Sequence, residues 1–280
     1  MKSKLFLMLV FVFVFTTQAQ IKTPQPSPSS KVEQAIGLTD ATLEYSRPSM
    51  RGRVVYGNLV PYGKTWRTGA NANTKITFST DVTIDGKSLK KGTYAVYTIP
   101  NIDSWDIMFY SDASNWGLPQ KWDDEKVALK TSVKPETMPF KLETFEMGFE
   151  GLADPNQGSL YILWESTMVT ININVPTDKT AFESIEKTMA GPSANDYFNA
   201  GRYYHQSGKD INKSLKYVSK ATDMNPEAWW MFREKSLIQA EMGDKKGAIA
   251  SAQKSLAGAE KAGNADYVKM NKESIAEWSK

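Results

Sequence analysis

The spacing of apolar residues changes at Pro176, and this change divides the chain into two kinds of structure. Before it, residues 75–84 alternate polar and apolar side chains, which is typical of a half-buried strand. Asp85 and Gly86 then supply a tight hairpin turn, because both residue types tolerate a positive φ angle. After Pro176 the apolar residues recur every three to four positions, as on one face of a helix.

More short segments of strand-like composition follow the first one. They are residues 94–99, 105–110, 141–149, 159–165 and 169–175. Strands this short, with no helical period between them, favour an antiparallel β-sandwich over a parallel sheet. Residues 89–94 fit either a plain turn or a corner in which the hydroxyl group of Tyr94 caps a bend.

The helical part contains a repeat. Gly208 and Gly243 lie 35 residues apart, and each ends one helical run and precedes another. Ahead of Gly208, Tyr197, Gly201 and Tyr204 have the spacing of the aromatic, small and tyrosine positions in a tetratricopeptide unit. The second unit matches less well, because Ser236 and Gln239 stand at its small and aromatic positions, and a helix over 265–278 would cap the stack.

The first residues predict export. Lys2 and Lys4 precede an apolar run from Leu5 to Phe15, which is too short to span a bilayer, and small residues then mark a cleavage site between Ala19 and Gln20. We therefore expect a periplasmic or cell-envelope protein with no membrane span in the mature chain.

The predicted fold class is β + α multidomain, an antiparallel β-sandwich followed by a short α-helical domain of tetratricopeptide-like repeats. The predicted segments are a signal peptide (1–19), a Pro/Ser-rich linker (20–35), the β-sandwich (36–176), a linker helix (177–192) and the helical domain (193–280).

Composition excludes several function classes. The chain has no cysteine and a single histidine, His205, so it lacks a cysteine nucleophile and the imidazole that a Ser-His-Asp triad would need in the β-domain. Zinc sites of the usual kinds need two or more His or Cys ligands. A formal net charge of +3 is not a polyanion-binding signature, so nucleic acid is not an expected partner. No cofactor and no metal is predicted.

Carboxylate chemistry is the catalytic option that composition leaves open. The alternative function is a hydrolase that acts on glycans or peptides through paired carboxylates. The densest acidic cluster, residues 123–125, reads better as a solvated turn beside Trp122. Asp81 and Asp85 fit a calcium site, but the hairpin turn at Asp85 explains them without a metal.

The arginines of the β part are unevenly distributed. All four lie in one short window, at Arg47, Arg51, Arg53 and Arg67, whereas the other basic residues there are lysines. The planar guanidinium group suits fixed bidentate contacts better than lysine does, so this window marks a place where geometry matters.

Two interpretations of the arginine cluster stay open. The arginines either fasten the first strand to the sandwich through internal carboxylate or carbonyl contacts, or they form an anion- or sugar-binding surface. In the second case Trp66 or Trp116 would offer a stacking face, and Asn71 would offer a hydrogen-bonding amide.

The helical domain carries a separate hypothesis. Tetratricopeptide stacks commonly present a concave face to a partner protein. Trp229 and Trp230 begin the second hairpin and point about 100° apart on a helix, so we expect one in the core and one exposed as a candidate partner contact.

Several motifs of the β part resemble one known family. They are residues 45–53, 59–64, 66–71, 92–94, 98–100 and 115–117. Over roughly residues 36–176 the chain resembles the DUF2911 family of exported proteins of Bacteroidota. The resemblance implies a compact β-domain, often with helical repeats appended, and it implies no activity. Our leading functional hypothesis is therefore a non-catalytic protein that binds a small ligand, a glycan or a peptide through the β-domain, with a possible protein partner at the helices.

Overall fold

The computed structural model describes residues 23–189 and 191–280, so the predicted signal peptide and its cleavage site lie outside the described residues. The described chain contains two antiparallel sheets followed by six helices, which confirms the predicted fold class.

The large sheet has six strands in the order β1-β2-β3-β6-β7-β8. Its strands are β1 (Ser29–Ile36), β2 (Thr39–Ser46), β3 (Thr74–Phe78), β6 (Gly92–Ile99), β7 (Trp105–Tyr110) and β8 (Val127–Val133). The small sheet has the order β5-β4-β10-β9. Its strands are β4 (Val82–Ile84), β5 (Lys87–Leu89), β9 (Glu136–Glu150) and β10 (Gln157–Asn174).

The predicted strand over residues 75–84 is wrong as a single element. The chain leaves the large sheet after Phe78 and enters the small sheet at Val82, so one alternating stretch supplies β3 and β4. The alternation continues across the bend because Phe78, Val82 and Ile84 all point into the space between the sheets, where they are buried.

The two predicted strands at 159–165 and 169–175 form one strand instead. β10 continues through an irregularity at Glu165, whose φ angle is 54° and where the register with β9 shifts. The corner before β6 is capped by tyrosine, because the hydroxyl group of Tyr94 donates to the carbonyl oxygen of Lys90 at 2.8 Å.

The N-terminal boundary lies earlier in the structure than the sequence suggests. Pairing of β1 begins at Ser29, inside the stretch expected to be a linker, and matches Ser29 with Ser46 of β2. The preceding residues 23–28, which we call the N-terminal arm, also contact the β-domain.

The main core lies between the two sheets and includes a cluster of aromatic rings. Trp105 and Trp164 are each 1% exposed. The side chain of Trp66 joins them, with its ring stacked on that of Trp164 at 6.1 Å between centroids. Tyr56 packs edge-on against Trp105 at 4.9 Å.

A second, smaller core lies on the outer face of the large sheet. Residues 111–126, which we call the strap, cross this face between β7 and β8. Trp122 of the strap packs on Tyr97 and Tyr110 with centroid distances of 5.5 and 4.9 Å. The strap covers only part of the sheet, so the outer face of β1, β2 and β3 stays open.

The helical part begins directly after β10. Its helices are α1 (Thr177–Thr188), α2 (Ala194–Gln206), α3 (Ile211–Met224), α4 (Trp229–Glu241), α5 (Lys245–Lys261) and α6 (Ala265–Trp278). α2 pairs with α3, α4 pairs with α5, and α6 packs on α5. Gly201 allows the first pair to approach closely, since a β-carbon there would lie 2.6 Å from the side chain of Val218. The helical hairpins are present, and their tetratricopeptide character remains a prediction.

The start of α1 is fixed to the β-domain. The hydroxyl group of Thr177 donates to the carbonyl oxygen of Pro155 at 2.6 Å and accepts from the backbone N–H of Leu38. The hydroxyl group of Tyr203 donates to Asp178 at 2.6 Å, which joins α2 to α1. No helix within the described ranges is long and apolar enough to cross a membrane.

Candidate ligand site beside the strap

The loop between Trp66 and Asn73 carries three of the predicted site residues, and its backbone is held firmly. Trp66 exchanges two backbone hydrogen bonds with Thr98 of β6, at 2.7 and 2.9 Å. Thr68 has a φ angle of 56°, which is rare for a β-branched residue, and its hydroxyl group donates to that of Thr98. Gly69 lies so close to β2 that a β-carbon would sit 3.0 Å from the carbonyl oxygen of Ser46. The loop therefore presents its side chains in fixed directions.

Three of the four clustered arginines bond within the β-domain. Arg47 donates to the carbonyl oxygen of Phe145 and to the carboxylate of Glu146, each at 2.9 Å. The arginine at position 51 donates to the arm, at the carbonyl oxygen of Pro26. Arg53 donates to two carbonyl oxygens of its own loop, those of Met50 and Ser49, each at 2.8 Å.

Trp66 and Asn71 are also engaged inside the domain. The indole N–H of Trp66 donates to the carbonyl oxygen of Gly69 at 3.1 Å, and its ring belongs to the main core. The side-chain amide of Asn71 donates to the carbonyl oxygen of Ser27 in the arm and to the hydroxyl group of Ser46.

Arg67 and Trp116 both lie at the strap, where Arg67 is partly buried and Trp116 is exposed. Within the described part of the chain, the guanidinium group of Arg67 has no hydrogen-bond or ion-pair partner. It lies against Gly117 of the strap, where a β-carbon would come within 2.8 Å of its terminal nitrogen. The preceding residue, Trp116, is 77% exposed. The structure thus leaves a cation against the strap, at the residue that follows an exposed aromatic side chain.

A buried polar chain connects this pair to Asn73, which sequence reasoning did not single out. The hydroxyl group of Tyr97 donates to the carbonyl oxygen of Gly117 at 3.0 Å and accepts from the amide nitrogen of Asn73 at 3.3 Å. Burial raises the pKa of Tyr97, although the hydrogen bond from Asn73 opposes that shift, so the phenol stays protonated as the donor.

Asn73 is 3% exposed, and its carbonyl oxygen Oδ1 has no hydrogen-bond partner among the described residues. Buried polar atoms are normally paired, since leaving an acceptor unpaired costs about 1–3 kcal/mol. The Oδ1 atom is buried behind the wall of a cleft, so a ligand donor would reach it only if the cleft opened.

Asn73 lines a surface cleft of about 520 Å³ on the open part of the large sheet. Its other polar lining comes from three strands, namely from Ser30 and Lys31 of β1, Glu44 and Ser46 of β2, and Lys75 of β3. The cleft is polar, it contains two lysines and one glutamate, and it lies on the arm side of the Asn73–Tyr97 chain.

An ion pair joins the two ends of the strap that carries Trp116. The carboxylate of Asp112 accepts from Lys126 at 2.8 Å and from the hydroxyl and backbone N–H groups of Ser114. These bonds, that of Lys126 first, lower the pKa of Asp112 to about 2. The two ends of the strap are thereby held together at neutral pH.

Comparison with known proteins identifies the family. The sequence profile of DUF2911, described as a protein of unknown function, matches residues 27–173. The chain belongs to the DUF2911 family. No curated protein matches the chain. The DUF2911 match begins at Ser27 in the arm and ends in β10, so it includes β1 and the strap and stops before α1.

The carboxylates of this DUF2911 domain that lie near the tryptophan cluster act as hydrogen-bond acceptors. Glu143 accepts from the backbone N–H of Arg51, and Glu165 accepts from the backbone N–H of Val55 and from Lys141. A single 3₁₀ turn begins at Asp124, inside the acidic cluster 123–125, and none of its residues is buried. This agrees with the solvated turn predicted there.

Within residues 23–189 and 191–280, no group of three or more His, Asp and Glu side chains is placed to hold a metal ion. Asp85 accepts from Thr131 and from Asn172, and Asp81 accepts from Lys90. The residues considered for calcium are therefore used in hydrogen bonds that pin the β4–β5 turn region.

The helical candidates lie outside the DUF2911 match. Trp229 packs edge-on against Tyr267 of α6 at 4.7 Å, whereas Trp230 is 39% exposed. His205 of α2 contacts two carboxylates of α4, those of Glu234 at 2.7 Å and Glu241 at 3.0 Å. The single histidine thus ties the two helical hairpins together.

Proposed function

We propose that this DUF2911 protein is a non-catalytic binding protein that acts in the cell envelope, with its ligand site beside the strap. The observation that carries the proposal is the grouping of Asn73, Arg67 and Trp116. A buried acceptor without a partner among the described residues is linked through Tyr97 to the backbone of the strap at Gly117. The guanidinium group of Arg67 lies against Gly117, and the exposed Trp116 precedes it.

The chemistry of these groups favours an acidic saccharide. The Oδ1 atom of Asn73 would accept from a ligand hydroxyl group once the cleft opens, and the planar guanidinium group of Arg67 suits a carboxylate. The indole of Trp116 offers an apolar face for a sugar ring. Lys75 in the cleft adds positive charge that a neutral glycan would not use, whereas Lys31 is ion-paired with Glu33 and Glu44 contributes a negative charge.

The test is isothermal titration calorimetry of the intact chain with a galacturonate trisaccharide and, for comparison, with a galactose trisaccharide. We expect saturable binding of the acidic sugar and weaker binding of the neutral one. Arg67→Ala removes a charge-assisted hydrogen bond and should weaken binding about ten- to a hundredfold.

Trp116→Ala should weaken binding with little change in stability, because the ring is mostly exposed. The matched control is Arg53→Ala, whose guanidinium group bonds only within its own loop in the described structure. Equal affinities of Arg67→Ala and Arg53→Ala would exclude Arg67 from the site. Absence of binding by either sugar would refute the saccharide class.

For the helical part we propose a partner-binding role of the tetratricopeptide-like kind, with Trp230 as a contact. Its exposure at the start of α4, while its neighbour Trp229 packs on α6, supports this role. Cross-linking in an envelope extract from the source cells, comparing the wild type with Trp230→Ala, tests it. A partner captured equally by both would remove Trp230 from the contact.

A further inference from the structure

The N-terminal arm is bound to the β-domain by three successive carbonyl groups. The carbonyl oxygen of Pro26 accepts from the side chain of Arg51 at 3.1 Å, and that of Ser27 accepts from the amide of Asn71 at 3.1 Å. The carbonyl oxygen of Pro28 accepts from the backbone N–H of Arg47 at 2.9 Å. Two predicted ligand-binding side chains thus hold a peptide, and that peptide is part of the same chain.

The arm is recognised through its backbone. It bends at residues 26 and 27, and this bend turns consecutive carbonyl groups toward their donors. Prolines at positions 24, 26 and 28 lack an N–H group, so the arm cannot extend the pairing of β1 through its own donors. Two of the three residues whose carbonyl groups accept are prolines, so donors from the β-domain meet a segment with few backbone donors of its own.

The arm is mostly exposed, whereas the groups of the β-domain that donate hydrogen bonds to it are fixed. Pro24, Gln25 and Pro26 are exposed and make little apolar contact. Arg51 and Asn71 have φ angles of 51° and 58°, and the backbone N–H of Arg51 is bonded to the carboxylate of Glu143 at 2.8 Å. The donors are therefore arranged by the domain, and the arm adapts to them.

We propose that the surface formed by Arg51, Asn71 and the backbone N–H of Arg47 is a recognition site for proline-rich peptides, occupied in this structure by the chain's own arm. A proline-rich segment of a partner protein would bind there in place of the arm. The proposal goes beyond the saccharide site, which depends on Arg67, Asn73 and Trp116, and it uses a different arginine.

Peptide binding is tested with a fluorescent peptide of the sequence of residues 23–30, by anisotropy. The intact chain and a variant that begins at Ser29 are compared. The variant should bind the peptide, and the intact chain should bind it at least about tenfold more weakly, because a tethered arm competes at an effective concentration in the millimolar range. In the variant, Arg51→Ala should weaken binding roughly tenfold.

Arg53→Ala in the same background is the matched control and should leave the affinity unchanged. A peptide with its three prolines replaced by alanine should bind more weakly. Absence of peptide binding by an armless variant with an unchanged circular dichroism spectrum would overturn the proposal. So would equal effects of Arg51→Ala and Arg53→Ala, or equal affinity for the alanine peptide.

A second measurement on the intact chain covers the case in which the armless variant does not fold. Because the chain has no cysteine, Thr23→Cys gives a single site for a nitroxide spin label. The label should be more mobile in Arg51→Ala and Asn71→Ala than in the parent or in Arg53→Ala. Identical spectra in all four proteins would overturn the proposal that Arg51 and Asn71 hold the arm in place.

Discussion

The hydroxyl group of Tyr56 offers a sharp test of the packing described above. It is buried in the aromatic cluster and has no hydrogen-bond partner among the described residues. Burial is the main cause that raises the pKa of Tyr56, and the nearby Glu165 adds to it, so the group stays a neutral phenol. Tyr56→Phe removes this hydroxyl group and keeps the ring that packs on Trp105 and Trp164.

The expected effect is a gain in stability. A buried hydroxyl group without a partner costs about 1–3 kcal/mol on the scale of protein mutants, so its removal should stabilise the domain by about 1–2 kcal/mol. Tyr45→Phe is the matched control, since Tyr45 is equally buried and belongs to the same core. Its hydroxyl group donates to the carbonyl oxygen of Met147 at 2.9 Å and accepts from the N–H of Met147 at 3.1 Å. That substitution should therefore destabilise the domain by about 1–3 kcal/mol.

Urea unfolding followed by near-ultraviolet circular dichroism measures both variants, with an unchanged slope as the check that the unfolding transition is the same. The midpoints of Tyr56→Phe and Tyr45→Phe should move in opposite directions from that of the wild type. If Tyr56→Phe loses as much stability as Tyr45→Phe, the hydroxyl group of Tyr56 is hydrogen-bonded in solution, by a buried water molecule, and the reasoning fails.

Two further predictions concern the strap and the helices. Because the pKa of Asp112 is lowered to about 2, its bond to Lys126 contributes stability above about pH 4, and this contribution is lost as the pH falls from 4 to 2. The difference in melting temperature between the wild type and Asp112→Asn should shrink over that range, and a constant difference would contradict the assignment. His205→Ala should destabilise the helical part by about 1–3 kcal/mol in thermal unfolding, because the side chain of Glu234 is only 14% exposed and loses its partner. Glu241→Ala should cost less, since that side chain is 60% exposed, and the reverse order would show that the outer contact dominates.

Local periodicity predicted an element well where contacts with other strands or helices do not decide its bounds. β7 and α6 have the expected bounds, because a short run of apolar and aromatic residues and a helix with a capping residue are specified by nearby residues. The crossing at residues 79–81 was not predictable, since alternation continues through it and only the pairing of Phe78 with Gly92 and of Val82 with Leu89 assigns the two halves to different sheets.

The candidate site itself stays a prediction. The concentration of arginine pointed to residues 47–67, yet composition does not distinguish a guanidinium group that bonds to distant carbonyl oxygens from one that has no such partner. Arg47 and Arg67 differ in that respect only through Phe145 and Gly117, which lie far away in sequence. Asn73 carries no sequence pattern, and its importance comes from three-dimensional burial beside Tyr97.

The course of β10 bears on how the protein responds to mechanical load. This strand runs the full length of the small sheet, pairs with β9 along most of it, and continues through Pro176 into α1. A pull applied to the helices would act along the axis of β10, so the hydrogen bonds to β9, which stand perpendicular to the strands, would be loaded in shear all together. The helical hairpins would instead open one pair at a time. Under tension between its two ends, the chain should extend through its helices while the β-domain keeps its shape.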